Sequence, residues 1–195
     1  MNPATSTYPI EVELDHGLEV ARWRPFLNWV LAIPHFIVLY VLGFVMVVVW
    51  VITFFAVLFT GRIPAGLFDL QVMYWRYSWR TYSYLAGLRG GYPPFDFQTN
   101  GEEPDVATFR ADRPERLSRW MIFVKWLLAL PHYVVLALLF VAAFFAWGVG
   151  ALAVLVTGRW PDAIQHLLVG VMRWSFRVYG YVYLLTDEYP PFSLD

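Results

Sequence analysis

Two copies of one sequence module follow each other along this chain. When the sequence is aligned with itself at an offset of 97 residues and without gaps, residues 15–95 and 112–192 are identical at 32 of 81 positions. Shared composition does not explain so many matches, and each copy is therefore predicted to form the same structural unit. Three short motifs recur: Pro34-His35 and Pro131-His132, Thr60-Gly61-Arg62 and Thr157-Gly158-Arg159, and the Tyr-Pro-Pro-Phe segments at 92–95 and 189–192.

The composition is typical of a membrane protein. Hydrophobic residues make up 59% of the 195 residues and charged residues 15%, and the mean hydropathy is +0.51, which lies outside the usual range of soluble domains. Two runs of 24 residues, 36–59 and 133–156, contain no charged side chain. A helix of that length rises about 36 Å, enough to cross a hydrocarbon core of about 30 Å. These runs predict two transmembrane helices, and the first begins too late and is too long for a cleaved signal peptide.

Several function classes find no support in the residues. The absence of cysteine excludes disulfides, thiolate nucleophiles and zinc sites built on sulfur. The net charge of −1 gives no basic field for nucleic acid. Neither a Gly-rich phosphate loop nor paired carboxylates inside the apolar runs are present, and Ser78 and Ser175 lack a histidine and a carboxylate at triad spacing. We expect no enzyme activity, no cofactor and no metal site.

A tight turn follows each apolar run and leads into a second helix. Gly61-Arg62-Ile63-Pro64 and its equivalent at 158–161 place glycine at the end of one helix and proline at the start of the next. The second helices are predicted at 65–88 and 162–185. Each carries two arginines at its middle, in a narrow polar stripe on an otherwise apolar helix: Arg76 and Arg80 in the first copy, Arg173 and Arg177 in the second.

This narrow stripe favours a second span in each copy, because a helix that lies on the bilayer surface shows a broad polar face. The predicted fold class is thus an all-α membrane protein with four transmembrane helices, arranged as two parallel-repeat hairpins. An interfacial position for 65–88 and 162–185 stays open as the alternative, since one central arginine costs about 2.5–3.5 kcal/mol to insert.

Four spans predict an orientation in the membrane. Eight of the remaining Lys and Arg residues fall on the side of the N-terminus and linker, and only Arg62 and Arg159 fall at the turns. The positive-inside tendency then predicts a multi-pass protein of the inner (plasma) membrane with both termini in the cytoplasm and the turns outside. Both copies would enter from the same side, related by a pseudo-two-fold axis along the membrane normal.

The remaining segments complete the domain organisation, with repeat 1 at 8–98, a polar linker at 99–111 and repeat 2 at 112–195. Amphipathic stretches at 18–33 and 115–130 combine Arg and Trp with an apolar face, which indicates interfacial helices. Pro34 and Pro131 separate or kink them from the spans. Segments 8–14 and 105–111 alternate as half-buried strands do, and with the two extended Tyr-Pro-Pro-Phe segments they predict a small cytoplasmic β element.

The four arginines of the second helices are the leading candidates for a binding site. A buried guanidinium needs an anion, and the candidate partners are Asp69, Asp187, Glu188, backbone carbonyls, a partner protein or a lipid phosphate. Internal salt bridges and tyrosine hydroxyls give a purely structural alternative. Arg62 and Arg159 sit at helix C-termini, from which a cation can reach lipid phosphates. His35 and His132 form a possible polar relay, against the plainer role of anchoring a helix start.

The motifs of the second copy resemble an uncharacterised bacterial membrane-protein family, frequent in actinobacteria, that carries one or two copies of this module. The resemblance rests on Lys125-Trp126 through Pro131-His132, Thr157-Gly158-Arg159-Trp160-Pro161, Arg173-Trp174-Ser175-Phe176-Arg177 and Thr186 through Phe192. It implies a polytopic inner-membrane protein and no reaction. The first copy departs with Asn28 in place of Lys125 and with Arg89-Gly90-Gly91 in place of Thr186-Asp187-Glu188.

These observations predict a non-catalytic integral membrane module, an accessory or scaffold component of a membrane assembly. Its Arg and aromatic seam would face a partner subunit, a second copy or anionic lipid. The alternative is a lipid-handling or transport protein whose arginines line a path for anionic headgroups. A membrane enzyme that uses His35 or His132 is the least favoured hypothesis.

Overall fold

The computed structural model describes residues 8–15, 19–99 and 105–195. Within them, each copy of the module contributes one strand followed by three helices. The first copy gives β1 (Ile10–Leu14), α1 (Arg24–Leu31), α2 (Ile33–Thr60) and α3 (Ala65–Leu85), and the second gives β2 (Ala107–Ala111), α4 (Met121–Leu128), α5 (Leu130–Thr157) and α6 (Asp162–Val182).

The first two helices of each copy join through a single non-helical residue. Ala32 separates α1 from α2 and Ala129 separates α4 from α5, with proline at the second position of each longer helix. Proline has no amide hydrogen to donate, yet hydrogen bonds continue on both sides: the Ala32 amide donates to the Asn28 carbonyl at 2.8 Å, and the Phe36 amide donates to the Ala32 carbonyl at 3.0 Å. We call α1 with α2 the first rod and α4 with α5 the second rod. The predicted break at each proline is confirmed.

Helices α3 and α6 lie side by side at the centre of the molecule. The Trp75 ring of α3 stacks on Tyr179 of α6 at 5.7 Å with an interplanar angle of 8°, and Trp79 makes an edge contact with Phe176 at 5.4 Å. Residue numbers that rise along α3 meet numbers that fall along α6, so the two helices are antiparallel. Most side chains of both helices are buried, including the arginines at positions 76, 80 and 177.

A two-stranded antiparallel sheet covers α3 and α6. Val12 of β1 pairs with Phe109 of β2, and these residues are 97 positions apart, so the pseudo-two-fold axis that relates the copies passes through this pair. Val12 and Phe109 point inward and are buried, whereas Glu11 and Arg110 lie opposite each other on the outer face. The predicted strands at 8–14 and 105–111 are confirmed. The Tyr-Pro-Pro-Phe segments, in contrast, lie outside the sheet.

The two rods also run antiparallel, and each Gly-Arg-x-Pro turn touches the other copy. The amide of Leu117 donates to the carbonyl of Gly61 at 2.9 Å, and the amide of Val20 donates to the carbonyl of Gly158 at 3.3 Å. Turns that form hydrogen bonds with the segments preceding α1 and α4 cannot lie across a membrane from those segments. The predicted orientation with the turns outside and these segments inside is therefore wrong.

Four spanning helices are not supported either. Among the described residues, two helical stretches are long and apolar enough to cross a membrane, Ile33–Thr60 and Met121–Thr157, and only 22% of each apolar window is buried. Helices α3 and α6 fail because their polar stripe is used to bind the sheet and the segments beside it. The observed fold is mostly helical, with two candidate membrane helices and one small sheet.

Candidate functional site

The arginines of α3 are held by carboxylates in the segment that follows the first Tyr-Pro-Pro-Phe motif. Nη1 of Arg80 lies 3.0 Å from Oδ2 of Asp96, and Nε lies 3.8 Å from Oδ2 of Asp105. Nη1 of Arg76 donates to the carbonyl of Gln98 at 3.4 Å. Arg80 is 1% exposed, so its charge is compensated inside the protein, as a buried guanidinium requires.

Asp96 shows how these charges stabilise one another. Burial by itself raises the pKa of the Asp96 carboxyl, but a hydrogen bond from the Gln98 amide (3.0 Å) and the guanidinium of Arg80 outweigh burial and hold the pKa below its ordinary value. Asp105 has a second partner, because Arg89 forms two hydrogen bonds with its carboxylate at 2.7 and 3.0 Å. Asp96 and Asp105 were absent from the candidate partners, because they follow the helix by 16 residues or more along the chain.

The arginines of α6 bind mainly backbone carbonyls. Nε of Arg173 donates to the carbonyl of Val12 in β1 at 2.7 Å, and Nη1 donates to the carbonyl of Leu194 at 3.2 Å. Nη1 of Arg177 donates to the carbonyl of Asp195. Backbone carbonyls were among the candidate partners, whereas Asp187 forms an ion pair with Lys125 at 2.8 Å instead. The polar stripes of α3 and α6 thus attach the sheet and the chain end to the helices.

The Pro-His and Tyr-Pro-Pro-Phe motifs of each copy form one structural unit. In the first copy, the imidazole of His35 stacks on Phe95 with centroids 4.3 Å apart and an interplanar angle of 7°. Tyr92 makes a tilted contact at 4.8 Å, and Nδ1 lies 2.6 Å from the hydroxyl of Tyr77 on α3. The histidine is fully buried and fixes the position of the Tyr-Pro-Pro-Phe segment against the start of α2.

The second copy repeats this unit with one instructive change. His132 stacks on Phe192 at 4.0 Å and contacts Tyr189 at 4.8 Å, but Trp174 replaces the tyrosine and its indole nitrogen lies 3.0 Å from Nδ1. An indole N–H only donates, so Nδ1 of His132 accepts, and the neutral imidazole carries its proton on Nε2. Each histidine contacts residues of its own copy, which is the anchoring geometry. The relay hypothesis for His35 and His132 stays a prediction.

A large apolar cavity lies where the two copies meet. Its volume is about 850 Å³, within the range of small-molecule sites. The lining comes from α1, α3, α5 and α6, mostly as aromatic and aliphatic side chains, and includes Trp29, Tyr74, Trp75, Phe140, Phe144, Trp147, Met172 and Tyr179. Phe144 is 69% and Trp29 58% exposed, so the cavity opens at the outer surface of the rods. The sequence did not reveal it, because its walls come from four helices of both copies.

The polar groups of this cavity are few and partly satisfied. The hydroxyl of Ser78 donates to the carbonyl of Tyr74 at 2.8 Å, and that of Ser175 donates to the carbonyl of Met172 at 2.7 Å. The prediction that these repeated serines bond neighbouring carbonyls is confirmed. A site with this lining suits a flexible hydrocarbon chain, because it offers apolar contact around most of its wall and few fixed polar directions.

The turn arginines are exposed and differ in their surroundings. Arg159 forms an ion pair with Glu19 of the other copy, and both side chains are more than 70% exposed. Arg62 lines a second cavity of about 530 Å³ together with Arg113 and Glu115. No group of three or more metal-ligating His, Cys, Asp or Glu side chains occurs in the described part of the chain.

Comparison with known proteins places the chain in a family. A family model described as "Domain of unknown function (DUF4389)" matches residues 22–96 and again residues 119–193. The chain therefore belongs to this family and contains two tandem copies of its domain. Searches of curated proteins and of solved structures found no match.

Proposed function

We propose that this two-copy member of the DUF4389 family is a non-catalytic membrane module whose two rods lie in the bilayer while its sheet faces water. The exposed surface of α2 and α5 supports this proposal more than any other observation. Buried residues form a narrow stripe on α2, at His35, Leu39, Met46, Val49, Thr53 and Val57. Most of the remaining circumference is exposed Val, Ile, Leu and Phe, with Phe44 at 61% and Phe59 at 70%. A soluble protein does not leave apolar patches of this size in water.

The charges favour embedding from one side over full crossing. If the antiparallel rods crossed the bilayer, the sheet beside α3 and α6 would lie at the depth of the acyl chains. Glu13 and Arg110 are exposed on its outer face, and each charge at that depth costs about 2.5–3.5 kcal/mol or more. If the rods lie along the bilayer, all charged side chains stay on one side. The pseudo-two-fold axis, which passes through the Val12 and Phe109 pair, then runs along the membrane normal.

The positive-inside tendency places this charged side in the cytoplasm of a cell with an inner membrane. Because both termini belong to the charged side, we expect them to be cytoplasmic. The sheet face, with its outward Glu11, Glu13 and Arg110, is the surface that an aqueous partner or a second copy would meet. This is an accessory or scaffold role, and the family description supplies no reaction that would replace it.

Single-cysteine labelling distinguishes the two embeddings, and the absence of native cysteine makes it direct. Arg62→Cys and Arg159→Cys mark the two turns, which lie at opposite ends of the rods. One-sided embedding predicts that a membrane-impermeant maleimide labels both turns only after the cells are opened. Rods that cross the bilayer would expose one turn to the outside of intact cells, and that result would overturn the embedding.

Two further positions serve as controls for this experiment. Glu13→Cys on the sheet should label like the turns, because it shares the aqueous side. Val47→Cys, at the middle of α2 and 61% exposed in the protein alone, should resist the reagent in membranes and react after detergent denaturation. Rapid labelling of Val47→Cys in sealed or opened membranes would show that α2 is in water and would contradict membrane insertion.

The scaffold role predicts an assembly larger than one bare chain. After extraction in mild detergent, native mass spectrometry should show the chain with bound lipid, with another subunit or as an oligomer. The Glu13→Cys variant should also cross-link through its sheet face if that face meets a second copy. A bare monomer under gentle extraction, with no cross-linked product in membranes, would count against this role.

The second candidate function is lipid handling, and the apolar cavity between the copies favours it. The arginine path of the original hypothesis lies on the polar stripe that faces the sheet, whereas the cavity is lined by aromatic rings and Ser78 and Ser175. We place a lipid acyl chain in this cavity. Ala143→Trp would fill it from α5, and loss of a lipid that co-purifies with the unchanged chain is the expected result. Equal lipid retention in this variant would contradict the cavity as the lipid site.

A further inference from the structure

We propose that the end of the molecule formed by the first Gly-Arg-x-Pro turn binds the phosphate of an anionic phospholipid headgroup. We call this the arginine end and define it by Arg62, Arg113, Arg116 and Arg119. The inference rests on the proposed embedding of α2, because α2 ends at this turn and would carry it to headgroup depth. The opposite end of the molecule, at the second turn, provides an internal comparison.

The backbone is arranged alike at the two ends. At each turn the glycine carbonyl accepts a hydrogen bond from the segment that precedes the other rod, from Leu117 at Gly61 and from Val20 at Gly158. Both glycines have a positive φ, 70° and 74°, which favours glycine at the end of a helix. Differences between the ends therefore come from side chains.

An arginine also stands beside each turn. Nε of Arg119 lies 3.6 Å from the point that a Cβ on Gly61 would occupy, and Nε of its equivalent, Arg22, lies 3.9 Å from the corresponding point on Gly158. Up to this point the two ends carry the same charge, since Arg62 and Arg159 are also equivalent.

The charge of the two ends differs at three further positions. Glu19 forms the exposed ion pair with Arg159, but its equivalent at the arginine end is Arg116. Asp162 begins α6 beside the second turn, whereas its equivalent beside the first turn is Ala65. Arg113 adds a further cation that lines the same cavity as Arg62. One end thus pairs its cations, and the other accumulates four arginines against the single carboxylate of Glu115.

The arginine end has the properties of a phosphate site at a membrane surface. All four guanidinium groups are exposed, and none of them forms an ion pair within the described part of the chain. Guanidinium groups bind phosphate oxygens through paired hydrogen bonds. Trp120 lies directly after Arg119 and is 81% exposed, and tryptophan favours the headgroup layer. A lipid phosphate joins both features, because its acyl chains would continue along the apolar surface of α2.

The test is a lipid titration of the full chain in a neutral detergent. Phosphatidylglycerol, phosphatidylcholine and inorganic phosphate serve as probes, and native mass spectrometry or tryptophan fluorescence reports binding. Arg116→Glu copies the ion pair of the opposite end and should weaken phosphatidylglycerol binding about tenfold or more, since each basic residue near a lipid surface contributes on the order of a tenfold change. Arg159→Gln, at the second turn, is the matched control and should leave the affinity unchanged. Glu19→Arg should add a second binding site.

Three results would overturn the inference. Arg116→Glu could bind phosphatidylglycerol as tightly as the unchanged chain, phosphatidylcholine could bind equally well, or inorganic phosphate at millimolar concentration could displace the lipid completely, which would indicate a free anion as the ligand. Arg62→Gln repeats the test with a smaller change, and thermal unfolding identifies any variant that fails to fold. Membrane extraction of the same variants separates the two proposals, because a chain that stays in the membrane but lacks headgroup preference contradicts this inference alone.

Discussion

The imidazole of His132 lies parallel to the ring of Phe192, with centroids 4.0 Å apart and an interplanar angle of 16°. The same contact joins His35 to Phe95 in the first copy. In both copies it ties a residue at the start of a long apolar helix to a segment about 60 residues later. The stack therefore closes each copy of the module on itself.

This contact predicts a measurable loss of stability in Phe192→Ala. Phe192 is 53% exposed, so truncation removes part of an aromatic pair and little enclosed volume, and we expect the free energy of unfolding to fall by about 1 kcal/mol. Phe95→Ala should behave alike. Chemical unfolding in detergent micelles measures both. Phe192→Tyr keeps the ring and serves as the control, and an unchanged stability of Phe192→Ala would show that the stack contributes nothing.

The charge on Asp96 predicts a dependence of stability on pH. Its folded pKa is held below the ordinary value of 3.8, because the Gln98 amide and Arg80 outweigh the effect of burial. The group therefore stabilises the fold fully above the unfolded pKa, and this contribution is lost as the pH falls through 3.8 toward the lower folded pKa. Thermal unfolding followed from pH 6 to pH 3 should show the loss. Asp96→Asn should be less stable at pH 6 and should lose less on acidification, and a parallel pH profile for the two proteins would contradict this role.

Local elements of the fold could be predicted from the sequence because their causes are local. The run at 36–59 anticipated α2 at Ile33–Thr60, and the glycine and proline of the turn anticipated α3 at Ala65–Leu85. Alternation in 8–14 and 105–111 anticipated the strands. In each case the spacing of apolar residues and the backbone preferences of a few neighbours decide the conformation.

The arrangement of the copies could not be predicted in this way. An offset of 97 residues shows that two units are alike, but it does not show how they meet. The sequence-based orientation counted charges under the assumption that every apolar helix crosses the bilayer, whereas the Leu117 amide reaches the Gly61 carbonyl of the other copy. The partners of Arg80 were missed for a related reason, since Asp96 and Asp105 lie in segments that the sequence marked only as polar.

The departures between the copies predict a compensating pair of substitutions. Nζ of Lys125 is 1% exposed at the side-chain level and lies 2.8 Å from Asp187 and 2.6 Å from the Thr186 carbonyl. The first copy has Asn28 at the position of Lys125, and its amide donates to the Tyr84 carbonyl at 2.6 Å. Asp187→Ala leaves a buried ammonium without its anion, so we expect a loss of about 3 kcal/mol in unfolding free energy.

The compensating change tests the cause of this loss. Lys125→Asn together with Asp187→Gly reproduces the residues of the first copy and should recover most of the stability that Asp187→Ala loses, because no unpaired charge remains. Unfolding by denaturant in micelles measures the variants and the two single substitutions. Equal losses in Asp187→Ala and in the paired variant would attribute the effect to packing instead of charge.

Two glycines of α5 predict opposite effects of the same substitution. A Cβ on Gly150 would lie 2.3 Å from the Trp160 ring, whereas a Cβ on Gly148 would meet nothing within 4 Å. Trp160 is itself fixed, since its indole nitrogen donates to the Gly87 carbonyl at 2.8 Å. Gly150→Ala should therefore destabilise the protein by about 1–3 kcal/mol through overpacking. Gly148→Ala should leave it unchanged or stabilise it by up to about 1 kcal/mol, because alanine favours the helix over glycine. Thermal unfolding of the two variants under identical conditions gives the comparison, and a Gly150→Ala protein as stable as Gly148→Ala would show that Trp160 moves freely away from α5.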